Sequence, residues 1–466
     1  MGHARCIQRL ARTGHHGVAA HAQHHHILLS HSRLHLGQQI GMQVGNAGSD
    51  GRVNRCFFKD GTRHVCAFGQ KGQCTACGFG AVVTGFVQAR RDNEVLFVRP
   101  EFLMNADHLK LFQPARIGDI DVANRVVMAP LTRSRADEVA GDLPGSDMNI
   151  TYYRQRSNAG LIISEGTQVS PQGKGYMATP GIYSDEQVEG WKPITQAVHD
   201  AGSKIVAQIW HVGRITHPDL IGGAQPLAPS AVQPQVVAYT RNGKVTPPVP
   251  HALSEAEIRE VVAQYRRGAA NAIRAGFDGV EIHGANGYLV DQFLRDGSNL
   301  RTDLYGGSTE NRCRFALEVV DACVAEIGAG RVGIRLSPVT TVNDAAGSDP
   351  QAVFGHLIEA LNQRGIAFIH VIEGITGGTR DVPGFDYAWA RQTFKGTYIA
   401  NNGYTRDMAI DAVESGRADA VAFGRAYIAN PDLVQRLKLN APLNTPNPKT
   451  FYVPGPAGYT DYPTLP

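Results

Sequence analysis

From residue 105 onward, short apolar runs rich in β-branched residues recur at 126–129, 161–164, 205–208, 279–283, 332–336, 368–372, 398–400 and 420–423. Between them lie longer stretches with apolar positions every three or four residues: "DEQVEGWKPITQAVHDAG", "SEAEIREVVAQYRRGAANAIRAG", "ENRCRFALEVVDACVAEIG", "PQAVFGHLIEALNQRG" and "RDMAIDAVESGRAD". The first period belongs to buried strands and the second to amphipathic helices. Several of the helical stretches end in glycine, and Ser254 followed by Glu257 forms a capping box. Eight strand–helix alternations predict a single parallel (β/α)8 TIM barrel. Residues 212–250 interrupt the alternation with Pro and Gly, and "YTRNGKV" reads as a lid hairpin turning through Asn242 and Gly243.

The first hundred residues follow neither period. They hold ten of the eighteen histidines and five of the seven cysteines (Cys6, Cys56, Cys66, Cys74, Cys77). Residues 1–103 carry 12 Lys and Arg against 5 Asp and Glu, whereas the remainder carries 33 against 37. The mildly acidic body excludes a basic nucleic-acid footprint on the main domain. Residues 1–103 are expected to be an unstructured His/Cys-rich extension or the product of a mis-set translation start, with the functional domain spanning 104–466. "CTAC" at 74–77 lacks the second regularly spaced pair of a zinc site, so no metal is expected. "GFGAVVTG" at 78–85 has Val83 where a dinucleotide loop needs its third glycine. Cys313 and Cys323, ten residues apart in a helical pattern, are expected to be reduced thiols in a cytoplasmic protein. No apolar run reaches the roughly 18 residues of a membrane span.

In such a barrel the chemistry gathers at the C-terminal strand ends. The polar residues there are Thr132, Glu165, Gln208, His211, His283, Asn286, Tyr288, Arg335, Glu373, Asn401, Asn402 and Arg425. "ANNGY" (400–404) and "FGRAY" (423–427) close the last two strands, where glycine N–H groups and Arg425 suit a phosphate. The Gln208 amide suits the edge of a polar ring, and Arg335 at the end of an apolar strand needs an anionic partner. Flavin mononucleotide (FMN) satisfies all three features. His283 and Asn286 can then donate to one carbonyl oxygen, with Tyr288 as proton donor to a neighbouring carbon.

Residues 105 to about 464 resemble the Old Yellow Enzyme family of flavin-dependent ene-reductases, and among them the bacterial N-ethylmaleimide reductase branch. The resemblance rests on "NRVVMAPLTRSRA", "LIISEGTQVSPQGKGY", "QIWHVGRITHP", "GFDGVEIHGANGYLVDQFLRDGSNLRTDLYGGSTENRCRF", "GIRLSP", "ADAVAFGRAYIANPDL" and "GYTDYPTL". It implies FMN contacts from Pro130, Leu131, Thr132, Gly166, Gln208 and Arg335, with Gly403, Gly424 and Arg425 at the phosphate. His283 and Asn286 would bind the substrate carbonyl and Tyr288 would give the proton. Trp210 and Tyr452 would line the pocket. The implied reaction is ping-pong reduction of the C=C bond of an enone or maleimide by NADPH or NADH through FMN.

An alternative is a flavin-binding redox sensor without efficient turnover, or an FMN enzyme acting on nitrate esters or nitroaromatics. The expected partner is a small activated alkene, with no nucleic acid and no membrane, in a monomer or homodimer. Two departures stand out: Asn402 replaces a glycine usual in relatives, and "FYVPGPAGY" replaces a glycine-rich stretch after Tyr452. Larger relatives with an iron–sulfur cluster are excluded, because no cysteine follows Cys323.

Overall fold

The computed structural model describes residues 106–466 and, before them, the backbone of six short strands. The chain separates into two compact units, Met1–Ala106 and Asp107–Pro466. In the first, Met42–Val44, Cys56–Phe58 and Arg63–His64 pair as one antiparallel sheet, and Ala67–Phe68, Cys74–Cys77 and Ala81–Val83 as another. The remaining residues before 106, and the side chains on which a zinc site at 74–77 depends, lie outside the described residues.

In the second unit eight parallel strands close on themselves. They are β1 (Val126–Met128), β2 (Leu161–Ile163), β3 (Lys204–Trp210), β4 (Gly279–Gly284), β5 (Val332–Leu336), β6 (Phe368–Ile372), β7 (Thr397–Asn401) and β8 (Ala420–Phe423). Each pairs with the next in sequence, and β8 returns to β1 with Ala422 opposite Val127. Closure leaves no free edge and buries each strand on both faces, which is why the runs read as continuous apolar segments.

Beneath the barrel, the antiparallel pair Ala115–Ile117 and Ile120–Val122 packs Ile117, Ile120 and Val122 against Val127, Ile163, Phe368 and Ile399. This plug closes the N-terminal end, so the C-terminal end is left as the mouth. At Gly333 on β5 a Cβ would lie 2.2 Å from the Phe368 ring, so the smallest residue lets that ring fill the barrel floor.

The predicted helices form where polar caps precede apolar periodicity. Asp185–Asp200 and Glu255–Arg274 both begin with capping boxes, Ser184 with Gln187 and Ser254 with Glu257. Thr309–Ile327, Pro350–Gln363 and Arg406–Glu414 start at Ser308, Asp349 and Thr405, each accepting from a backbone N–H in the first turn. Cys313 and Cys323 are buried, unpaired thiols on one face of Thr309–Ile327, and burial pushes the Cys313 thiol up to about 12. Such thiols are inert.

The lid hairpin differs from expectation in its turn. Thr240 pairs with Gly243, so Arg241 and Asn242 form the loop while Gly243, at φ 102°, begins the returning strand. The Thr240 hydroxyl accepts from the Asn242 N–H at 3.1 Å, which fixes the turn one residue earlier than an Asn-Gly loop.

Candidate active site

Alternation along β4 aims Glu281 and His283 at the barrel interior, and the parallel register places His283 beside Arg335 and Arg335 beside His370. Just beyond β4 the chain turns through Asn286 and Gly287, both at positive φ, and Tyr288 caps the short helix Leu289–Leu294. The turn folds the Tyr288 ring back onto the strand end. It meets the His283 ring edge-on at 4.8 Å and the Trp210 ring at 5.1 Å. Trp210 stacks at 5.9 Å on His283 and at 5.9 Å on Tyr176. Three predicted residues, Trp210, His283 and Tyr288, thus form one aromatic box, to which Tyr176 adds a fourth wall that the sequence did not single out.

The polar atoms of the box are set in defined states. Burial first, then the Arg335 charge, holds the His283 imidazole well below its usual value, so it is neutral. Its Nδ1 faces the Ala285 N–H at 3.4 Å, which assigns the proton to Nε2. The Asn286 Oδ1 accepts from the Thr376 hydroxyl at 2.6 Å, so its amide N–H donors point elsewhere. Burial raises the Tyr288 phenol well above 10, and its hydroxyl lies 2.8 Å from that of Tyr176.

Below the box lies a buried network. Glu281, fully buried, accepts from Gln208 Nε2 at 2.8 Å with one carboxylate oxygen and from His370 Nδ1 at 2.7 Å with the other. The amide nitrogen of Gln208 is therefore committed inward, and its carbonyl oxygen remains for the mouth. Arg335 donates through Nη2 to Asn401 Oδ1 at 2.9 Å, while its buried Nε has no described partner. Among the described residues no carboxylate forms an ion pair with it. Glu281 and His370 were absent from the predicted site, although Glu281 shares the strand face of His283 and that alternation was readable.

The ends of β7 and β8 bring Gly403, Gly424 and Arg425 to one side of the mouth. Gly403 has φ 65° and open space where a Cβ would stand, and Gly424 begins Arg425–Ala429. The exposed Arg425 guanidinium donates to the Gly377 carbonyl at 3.0 Å and has no carboxylate partner among the described residues. Asn402 makes contacts that a glycine could not. It is buried with φ 108°, its Nδ2 donates to the Glu373 and Ile375 carbonyls at 2.8 and 2.9 Å, and its Oδ1 accepts from the Gly377 N–H. Its side chain thereby ties the loop after β6 to the end of β7.

Across the mouth, β1 leads into Pro130, Leu131 and Thr132, with Thr132 partly exposed. A Cβ on Gly166 would lie 2.7 Å from the Trp210 ring, so that backbone lies directly against the box. Next to Thr132, Arg133 and Arg135 reach into the C-terminal segment. Arg133 donates to the carbonyls of Phe451 and Gly458, and Arg135 to those of Thr450, Phe451, Gly455 and Ala457. Gly458, at φ 64°, would place a Cβ 1.8 Å from the Thr450 hydroxyl, so only glycine fits this turn. "FYVPGPAGY" is thus held mainly through backbone carbonyls, which tolerate the changed side chains. Tyr452 is 65% exposed and packs edge-on against Phe451.

Glu165, buried at the end of β2, accepts from the Arg133 N–H at 3.3 Å, and burial raises its carboxyl to about 7. A folded-state value above the unfolded 4.5 means that the folded chain holds the extra proton between those values, so stability falls as pH rises through that window. Glu165→Gln is expected to remove that fall. Urea unfolding should give native and variant similar stability at about pH 4 and a more stable variant at about pH 8. A native advantage at the higher pH would show that the Arg133 contacts outweigh burial.

The residues present fit a flavin phosphate. Arg335 is a buried cation with an uncommitted N–H and no ion-pair partner among the described residues, Arg425 is an unneutralised cation between two glycine turns, and Gln208 offers a ring-edge acceptor.

Comparison with known proteins agrees. The family described as NADH:flavin oxidoreductase / NADH oxidase matches residues 110–444. A probable flavin mononucleotide-dependent alkene reductase of Leishmania infantum is 47% identical over 361 residues, covering 76% of this chain and 97% of that protein. Among solved structures, the old yellow enzyme homologue from Zymomonas mobilis superposes with a TM-score of 0.73 at 44% identity, covering 76% of this chain and all of that one. Morphinone reductase in complex with tetrahydroNAD gives 0.72 at 45% identity, covering 76% and 98%.

Proposed function

Because the chain belongs to the NADH:flavin oxidoreductase / NADH oxidase family, and is an FMN-dependent oxidoreductase of the alkene-reducing kind, we propose a role for each group at the barrel mouth. Pro130, Leu131, Thr132, Gly166, Gln208 and Arg335 hold the ring, and Gly403, Gly424 and Arg425 hold the phosphate. When bound, FMN carries a hydride from NADPH or NADH to the β-carbon of an activated alkene. His283 donates from Nε2 and Asn286 from its amide to the substrate carbonyl oxygen, where negative charge develops. Tyr288 gives its hydroxyl proton to the α-carbon. Trp210 and Tyr452 line the pocket, with Tyr176 stacked on Trp210.

The observation that carries this reading is the aromatic box, in which a neutral His283 and a protonated Tyr288 sit 4.8 Å apart, ring to ring. A neutral imidazole donates a hydrogen bond without losing its proton, and a phenol kept above its usual value holds its proton until the substrate demands it. Thr132 on the flavin side supports placement in the N-ethylmaleimide reductase-like branch. The unpaired Cys313 and Cys323 fit a cytoplasmic, reducing compartment. Among the described residues no helix is long and apolar enough to cross a membrane.

The test is spectroscopic. The full chain, purified and kept anaerobic, should show flavin absorbance that bleaches with NADPH and returns on addition of 2-cyclohexenone with formation of cyclohexanone. Bleaching without return would refute alkene reduction of this kind, and a colourless protein that takes up no FMN would refute the cofactor assignment.

A further inference from the structure

Each turnover in the proposed reaction leaves Tyr288 without its proton, and Tyr288 is only 8% exposed with Trp210, His283 and Tyr176 around its ring. The proton has to come back through a neighbouring group. One hydroxyl stands within hydrogen-bond distance: Tyr176 Oη, 2.8 Å from Tyr288 Oη, in a bond where either oxygen can be the donor. Tyr176 is itself partly exposed and packs against the box.

We propose that Tyr176 returns the proton to Tyr288 after each turnover. This rests on the reading of Tyr288 as the proton donor. In the step, the Tyr288 O–H bond breaks as the C–H bond forms at the substrate α-carbon. The Tyr288 phenolate then takes the Tyr176 proton, and the Tyr176 phenolate takes one from solvent water, leaving hydroxide to the buffer. Tyr176 acts through Tyr288 and need not touch the substrate.

Tyr176→Phe, made in the full FMN-loaded chain, keeps the ring stacked on Trp210 and removes the relay hydroxyl. With prereduced enzyme and one equivalent of 2-cyclohexenone, the single reoxidation should stay within about twofold of native, because Tyr288 still carries its proton. At saturating NADPH and enone, steady turnover should fall roughly tenfold or more, and adding imidazole buffer should restore it in proportion to the imidazolium concentration. Equal slowing of both phases without buffer rescue would make Tyr176 a wall residue and overturn the relay. So would unchanged steady turnover. Tyr288→Phe run in parallel separates the premise: if its single reoxidation is native-like, the assignment of Tyr288 as donor fails rather than the relay alone.

Discussion

Replacing Tyr288 by Phe is expected to slow reoxidation of the reduced enzyme by 2-cyclohexenone by roughly 10²–10⁴-fold, the usual contribution of a positioned general acid. The substitution is narrow. The Phe ring keeps the edge-on contacts with His283 and Trp210, and the backbone cap of Leu289–Leu294 uses no side-chain atom of Tyr288. Only the hydroxyl and its bond to Tyr176 are lost, about 0.5–1.5 kcal/mol of stability. Reduction by NADPH requires no proton from this group and should keep its native rate. The half-reactions are therefore predicted to separate, which a general loss of folding or of cofactor would not do. Rapid mixing of each half-reaction measures this, and a reoxidation rate within twofold of native would assign the proton to water or another group. Because burial holds the phenol well above 10, the native reoxidation rate should show no inflection from this group between about pH 6 and pH 9.

The barrel was legible in the sequence because eight buried strands leave eight apolar runs, and the cap residues Ser184, Ser254 and Ser308 sit one position before helices that begin where the periodicity does. Short helices escaped. Leu289–Leu294 is buried on every side, so it shows no amphipathic period, and Tyr387–Thr393 is held by its Asp386 cap more than by pattern. The site was legible where chemistry clusters along the chain: His283, Asn286 and Tyr288 fall within six residues. It was not legible where partners are far apart in sequence. Tyr176 reaches Tyr288 across 112 residues and His370 reaches Glu281 across 89, distances over which no periodicity carries information. The contacts of Asn402 were hidden for a related reason: its amide bonds Glu373, Ile375 and Gly377, partners that only the folded loop brings within reach.

Glu281 should therefore matter as much to stability as Tyr288 does to turnover. Glu281→Ala leaves Gln208 Nε2 and His370 Nδ1, both buried, without their acceptor, and it removes the carboxylate that offsets the buried Arg335 charge. Each stranded donor costs about 1–3 kcal/mol. Removing one member of a buried charged set costs about 3–5 kcal/mol in total, a large share of the 5–15 kcal/mol that typically holds a domain together. Urea unfolding of the FMN-free chain measures the loss directly, and flavin titration should show weaker binding because Gln208 is no longer held in one orientation.

Glu281→Gln separates hydrogen bonding from charge. Its carbonyl oxygen can still accept from Gln208, but its amide nitrogen faces His370 Nδ1. The imidazole, neutral because burial outweighs the Glu281 charge, can accept there only by moving its proton to Nε2, which has no described partner. An intermediate loss of stability is expected for this variant, with Gln208 still oriented. If Glu281→Ala loses less than about 1 kcal/mol, water has taken the place of the carboxylate, and the network beneath the aromatic box is filler rather than a support for the flavin edge.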